Sequence, residues 1–90
     1  MVKHLNIRVY GKVQRVFYRV NAVEMANTFN IKGFARNEAD GSVYIEAEGE
    51  EGDLKKFVNT CHVGSPGAIV ERVVTEESEM RNYSNFLIAR

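Results

Sequence analysis

The chain has 90 residues, 44% of them hydrophobic, and its 12 lysine and arginine residues balance 12 aspartate and glutamate residues. This length fits one domain, and the apolar fraction excludes a disordered chain. A net charge of zero argues against a general nucleic-acid binder, which usually has a strong basic excess. Any anion recognition must therefore come from a local arrangement of hydrogen-bond donors.

The sequence shows no cysteine pair, no membrane span and no signal peptide, and these features bear on the compartment of the protein. The single cysteine, Cys61, cannot form an internal disulfide. No apolar run reaches the roughly 18 residues of a membrane span, and the residues after Met1 show no signal-peptide pattern. We therefore expect a cytoplasmic protein that contacts no membrane, with Cys61 as a core thiol.

The first half of the chain predicts a strand, a helix and a hairpin. Residues 4–10 alternate between polar and apolar side chains, as a half-buried strand does. Residues 18–30 have apolar residues at helical spacing. The inner stripe of this helix consists of Ala22, Met25, Ala26 and Phe29. Residues 31–37 and 42–48 are two further predicted strands, joined by a turn that contains an Asp-Gly pair.

The second half adds a helix over residues 53–61 and strands over residues 68–75 and 83–89. The order β-α-β-β-α-β is that of the ferredoxin-like split βαβ arrangement. We predict an α+β fold in which two helices pack on a four- or five-stranded antiparallel sheet, in a single domain over residues 1–90. Because this fold serves many activities, function must come from particular residues.

The junction between the first strand and the first helix, GKVQRVFYR at residues 11–19, can hold an anion. The first turn of a helix has N–H groups without intrahelical partners, and its dipole favours negative charge. Arg19 lies near the helix start, where its guanidinium can bind two phosphate oxygens. Residues 14–19 can thus form a phosphate cradle, although an arginine at this position is more often a solvated surface residue.

Two segments together resemble the signatures of the acylphosphatase family. Residues 11–19 resemble G-(R/K)-V-Q-G-V-x-F-R, and residues 33–43 match G-(W/Y/F)-x-x-N-x-x-D-G-x-V. The chain length, the order of the motifs and the predicted elements agree with that family. Segments at residues 64–66 and 83–86 also resemble family segments, so the resemblance covers nearly the whole chain.

The resemblance implies hydrolysis of the carboxyl–phosphate bond of acyl phosphates by a monomer without a metal or an organic cofactor. By motif position, the implied catalytic residues are Arg19, which holds the phosphoryl group, and Asn37, which orients water. The leaving carboxylate needs no proton, so few groups suffice. Acyl phosphate and inorganic phosphate are the expected partners, and nucleic acid is not. The implied substrate-binding residues are Gln14, Arg15, Val16, Phe17, Tyr18 and Arg19.

Three positions depart from the family pattern. Arg15 replaces a glycine, Phe17 stands where many bacterial members have a glycine, and Tyr18 replaces a phenylalanine. If position 15 needs a left-handed backbone, a non-glycine residue costs about 1–2 kcal/mol there. Arg15 either impairs the loop or adds positive charge beside the phosphate, and both interpretations stay open.

A second interpretation is a catalytically impaired or non-enzymatic module of the same fold, which binds an anion, a peptide or RNA. The altered loop favours it, whereas the zero net charge and the lack of an RNP-like aromatic pattern disfavour RNA. A third interpretation, a regulatory domain of a larger enzyme, is less favoured because the sequence starts at Met1 and contains every predicted element.

The remaining polar residues have structural interpretations. We expect His4 and His62 to be surface or strand residues, since no nucleophile or ligand set accompanies them. The four acidic residues between positions 46 and 51 are expected to solvate a strand end and a helix start. These are Glu46, Glu48, Glu50 and Glu51.

Overall fold

A computed structural model describes residues 1–90 as five strands and two helices. The strands are β1 (Val2–Lys12), β2 (Lys32–Asn37), β3 (Val43–Glu50), β4 (Ile69–Ser78) and β5 (Phe86–Ala89), and the helices are α1 (Tyr18–Thr28) and α2 (Glu51–Val63). The predicted order of elements is confirmed, and most boundaries differ by only one to three residues. Neither helix is long and apolar enough to cross a membrane.

The sheet has the strand order β4-β1-β3-β2-β5 and is mixed, so the prediction of a purely antiparallel sheet is wrong at one edge. The β2–β5 pair is parallel, with Gly33 opposite Phe86, and every other pair is antiparallel. The connection over residues 79–85 crosses the sheet from β4 at one edge to β5 at the other. Since β5 starts at the end of the sheet where β4 stops, it runs in the direction of β2.

The core lies between the two helices and one face of the sheet. Ala22 and Ala26 of α1 are buried, and Met25 and Phe29 pack against the core, so the predicted inner stripe is confirmed. Fully buried side chains from the central strands meet Phe57 of α2. These strand residues are Ile7, Val9, Ala35, Val43, Ile45 and Ala47. Removing a buried aromatic such as Phe57 costs about 3–5 kcal/mol, so this layer fixes the frame on which the loops are carried.

Cys61 is buried on the inner face of α2, as predicted. Burial raises the pKa of its thiol to about 12, so the thiol stays protonated and inert at neutral pH. His62, the next residue, is exposed, as expected.

The opposite face of the sheet is partly covered by residues 79–85, and this cover corrects two expectations. His4 lies in a strand, as predicted, but it is only 1% exposed. Glu48 is only 3% exposed, because the backbone N–H groups of Arg81 and Tyr83 donate to its carboxylate. Glu48 therefore does not solvate a strand end; it anchors the crossing segment to the sheet.

Candidate active site

The loop between β1 and α1 has two residues in the left-handed backbone region. Arg15 has φ 62° and Phe17 has φ 61°. A residue with a Cβ costs about 1–2 kcal/mol in this conformation. The loop thus has the backbone shape for which glycine is suited, although the sequence supplies arginine and phenylalanine.

This loop leaves a series of backbone donors without partners. None of the N–H groups from Val13 to Phe17 donates a hydrogen bond within the protein. The first bond of the α1 region runs from Asn21 N–H to the Phe17 carbonyl, at 3.0 Å. No side chain caps the helix, and its first turn contains no carboxylate. Free N–H groups at a helix start form a site for an anion.

Gln14 joins this loop to the hairpin that carries Asn37. Its side-chain Nε2 donates to the carbonyl of Glu38 at 2.8 Å and to the carbonyl of Ser42 at 2.9 Å. These two carbonyls belong to the turn between β2 and β3, directly after Asn37. The side chain of Gln14 therefore holds two parts of the site together and does not point into the cavity.

Two further contacts hold the loop from the α2 side. The buried Ser65 hydroxyl donates to the Val16 carbonyl at 2.6 Å, and the Tyr18 hydroxyl donates to the Cys61 carbonyl at 2.6 Å. Burial raises the pKa of Tyr18 well above its usual range, and the neighbouring Cys61 side chain raises it further. The hydroxyl that Tyr18 adds to the family pattern is thus a neutral anchor.

A cavity of about 220 Å³ lies between the loop, the start of α1 and the ends of β2 and β5. Its lining residues are Val13, Arg15, Phe17, Tyr18, Arg19, Val20, Asn37 and Ile88. The two predicted catalytic residues therefore come together in one cavity. Of the predicted binding residues, Gln14 and Val16 do not line it. Sequence reasoning missed Val20 and Ile88, which carry no motif signal; Ile88 arrives from the distant β5.

Asn37 is the most informative residue of the cavity. Its Oδ1 is the only buried side-chain nitrogen or oxygen of the chain without a hydrogen-bond partner. A buried acceptor without a partner costs about 1–3 kcal/mol, and such atoms are rare in native structures. Asn37 Oδ1 is therefore available to accept a hydrogen bond from a molecule in the cavity.

The arginines of the cavity are not neutralised. No carboxylate lies within 4.0 Å of Arg15 or Arg19, and Arg19 makes only a long contact of 3.5 Å to the Ala89 carbonyl. By contrast, Arg8 and Arg36 both pair with Glu38, at 3.3 and 3.0 Å. Hydrogen bonds from these arginines, Arg36 first, lower the pKa of Glu38 despite its partial burial. Arg15 and Arg19 therefore bring positive charge without a carboxylate partner to the cavity, where an anion can reach it.

Known proteins with similar sequences and structures identify the family. The family model described as "Acylphosphatase" matches residues 5–88. The chain is 41% identical to the acylphosphatase of Thermotoga petrophila over 87 residues, which cover 97% of both chains. It is also 41% identical to that of Archaeoglobus fulgidus over 85 residues, covering 94% of this chain and 96% of the relative.

The fold supports the same assignment. A crystal structure of acylphosphatase from Bacillus subtilis superimposes with a TM-score of 0.96, at 33% sequence identity and with 100% of each chain covered. The match includes both signature segments, the loop and the hairpin that together enclose the cavity. The chain therefore belongs to the acylphosphatase family, hydrolases that act on acyl phosphates.

Proposed function

We propose that the cavity binds the phosphoryl group of an acyl phosphate and that Arg19 and Asn37 carry out its hydrolysis. Arg19 binds two phosphoryl oxygens, and the free N–H groups of the 14–19 loop bind the others. Gln14, Val16, Phe17 and Tyr18 contribute through their backbone, and Arg15 and Arg19 also through their side chains. The loop thus acts as a phosphate-binding loop that stabilises the charge of the transition state.

Asn37 orients the attacking water in this mechanism. Its Oδ1 accepts a hydrogen bond from the water and directs a lone pair at phosphorus. A neutral amide is too weak a base to remove the proton, which passes to a phosphoryl oxygen. The carboxylate leaves without protonation, so no general acid is needed. The unpartnered, buried Oδ1 in the same cavity as the unpaired Arg19 is the observation that carries the proposal.

The alternative of an impaired or non-enzymatic module is not better supported. Its main argument was that Arg15, which replaces the loop glycine, and Phe17 would impair the loop. Both residues adopt positive φ in the structure, so the backbone shape is kept at an energetic cost. We further propose a single domain over residues 1–90 that works as a cytoplasmic monomer, without metal, organic cofactor, nucleic acid or membrane.

Kinetics with benzoyl phosphate in the presence of a chelator test this function. Arg19→Ala is expected to lower kcat/KM by about 10²-fold or more, because it removes the main charged donor to the transition state, and to weaken inhibition by inorganic phosphate. Asn37→Ala is expected to lower kcat by a similar factor while phosphate inhibition stays nearly unchanged. Asn37→Asp is also expected to be poor, since a carboxylate repels the anionic substrate.

Arg72→Ala is the matched control for charge removal, since Arg72 is exposed and its guanidinium lies 4.3 Å from the Tyr10 ring centroid, outside the cavity. This variant is expected to keep full activity. If Arg19→Ala keeps full activity and phosphate does not inhibit the natural sequence, the loop is not the site. Equal losses of phosphate affinity in Arg19→Ala and Asn37→Ala would contradict the division of roles.

A further inference from the structure

Three large apolar side chains surround the mouth of the cavity. Phe17 is 79% exposed, Val20 is 44% exposed and Ile88 is 42% exposed. They come from the loop, the first turn of α1 and β5, so only the tertiary structure places them around one opening. Isolated exposed apolar residues are common in proteins, but a group of three that rims a cavity is a candidate contact surface.

The conformation of Phe17 argues against a purely structural role for this side chain. Phe17 has φ 61°, a conformation that is rare for a bulky residue and that glycine or asparagine adopts at lower cost. An exposed phenylalanine also gains little from burial in the folded chain. Position 17 thus combines backbone strain with an exposed aromatic ring, and neither stabilises the fold.

Depth in the cavity determines which part of a substrate would meet this rim. Val13 and Tyr18 are 1% and 3% exposed, and the Oδ1 of Asn37 is buried with them in the interior. In-line displacement places the attacking water and the leaving group on opposite sides of phosphorus. With the water held by the buried Asn37 Oδ1, the leaving acyl group extends toward the mouth and its apolar rim.

We infer that Phe17, Val20 and Ile88 form an acyl-binding rim that favours acyl phosphates with an uncharged aromatic or extended aliphatic acyl group. This inference rests on the proposed function. An acetyl group is too short to cover the three side chains, whereas a benzoyl ring can stack on Phe17 and contact Val20. The rim thus gives substrate selectivity to a site whose catalytic groups contact only the phosphoryl part and the water.

A neighbouring groove of about 160 Å³ extends this surface. It shares Phe17 and Val20 with the cavity and continues past Pro66 toward Glu24. Phe17 and Pro66 offer apolar surface to an acyl group longer than acetyl. The exposed Glu24 carboxylate at the groove disfavours an acyl group that carries its own negative charge.

The experiment compares kcat/KM for benzoyl phosphate and for acetyl phosphate in each variant. Phe17→Asn removes the ring but keeps a residue that tolerates positive φ. It is expected to lower the benzoyl-to-acetyl ratio by about 5–10-fold, at the low end of what lost apolar contacts cost a substrate. Ile88→Ala is expected to lower the ratio in the same direction, and Phe17→Tyr is expected to restore it.

Leu87→Ala is the matched control, because Leu87 is a neighbouring exposed residue of β5 that does not line the cavity. The benzoyl-to-acetyl ratio of Leu87→Ala is expected to match that of the natural sequence. Inhibition by phosphate is expected to stay unchanged in all four variants. A ratio unchanged in both Phe17→Asn and Ile88→Ala, with phosphate inhibition intact, would overturn the acyl-binding rim alone. Full activity of Arg19→Ala would instead overturn the proposed function, and the rim with it.

Discussion

Two polar regions of this chain differ in how their groups are paired. One is the cavity with Arg15, Arg19 and Asn37. The other lies on the opposite face of the sheet, under residues 79–85, and we call it the His4 cluster. Its side chains are His4, Asn6, Tyr44, Glu46, Glu48 and Tyr83. A histidine between two glutamates resembles a catalytic group more closely than anything in the cavity does.

The His4 cluster is fully satisfied. His4 Nδ1 lies 2.6 Å from Glu48 Oε2, and His4 Nε2 lies 2.8 Å from Asn6 Oδ1. The Tyr83 hydroxyl donates to Glu46 at 2.6 Å. Burial and this bond raise the pKa of Tyr83 to about 12. Each buried side-chain nitrogen and oxygen of the cluster therefore has a partner within the protein, and the cluster secures the connection between β4 and β5.

The cavity shows the opposite condition. Its loop N–H groups and the Oδ1 of Asn37 have no hydrogen-bond partner within the protein, and no carboxylate pairs with Arg19. Left-handed residues and an unpartnered acceptor destabilise the fold slightly, and they persist because the surrounding contacts hold them. Unpaired groups that converge on one cavity are what a binding site needs, whereas the paired groups of the His4 cluster serve the fold.

The largest stability effect is expected when the His4 cluster loses a charge. Glu48→Gln leaves His4 and two backbone donors with a weaker, neutral partner, and a hydrogen bond to a charged group is worth about 1.5–3 kcal/mol. Urea unfolding measures the loss. Glu50→Gln on the same strand is the matched control, because the side chain of Glu50 is 60% exposed. Equal losses in the two variants would show that burial and pairing at Glu48 do not matter.

Acid is expected to weaken the same cluster. Burial alone would raise the pKa of Glu48, but hydrogen bonds from Arg81 N–H, His4 and Tyr83 N–H hold it below its ordinary 4.5. The folded state therefore binds fewer protons, and the stability that Glu48 gives above pH 4.5 is lost as pH falls through the lower pKa. Each carboxylate contributes at most about 1.4 kcal/mol per pH unit.

Unfolding midpoints between pH 6 and pH 3 test this effect. Bonds to Tyr83 and Tyr44, together with the charge of His4, likewise hold the pKa of Glu46 below its ordinary value against the effect of burial. The natural sequence is expected to lose stability steeply below about pH 4.5. Glu48→Gln is expected to fall less steeply, because one of the two carboxylates is gone. Parallel curves would contradict the role of Glu48.

A smaller effect is expected at Arg15, where two substitutions separate backbone strain from side-chain charge. Arg15→Gly relieves the positive φ and is expected to stabilise the unliganded chain by about 1 kcal/mol, or about 4–8 °C in Tm. Arg15→Ala removes the same charge but keeps the Cβ, so no such gain is expected. We also expect Arg15→Gly to raise turnover and phosphate to raise the Tm of the natural sequence.

The kinetic result decides between the two roles of Arg15. Lower activity with weaker phosphate inhibition in both Arg15→Gly and Arg15→Ala would make Arg15 a ligand of the anion. Higher activity in Arg15→Gly alone would make backbone strain the dominant effect.

No loss of stability is expected at Asn37. Its Oδ1 has no hydrogen-bond partner within the protein, so Asn37→Ala removes an unsatisfied buried acceptor and is expected to leave the free energy of unfolding unchanged or to raise it by at most about 1–3 kcal/mol. Guanidinium unfolding of the variant measures this. A loss above about 1 kcal/mol would mean that the amide supports the hairpin. Asn37 would then have a structural role, as the residues of the His4 cluster do.

Local patterns in the sequence determined the elements of this protein and the position of the proposed phosphate cradle. Alternation gave the strands, because side chains of a strand point to opposite faces. The stripe with Ala22 and Ala26 gave α1, and the Asp40-Gly41 pair gave the hairpin turn. The two motifs predicted that Arg19 and Asn37 belong to one site, and both residues line the same cavity.

The tertiary structure alone decided what depends on contacts between distant segments. The parallel pairing of β5 follows from the path of residues 79–85, and the same segment buries His4, whose local pattern is that of an exposed position. Ile88 reaches the cavity mouth only because β5 pairs with β2. Burial and pairing are properties of the packed chain, and neighbours close in sequence cannot encode which remote group will cover a side chain or leave it free.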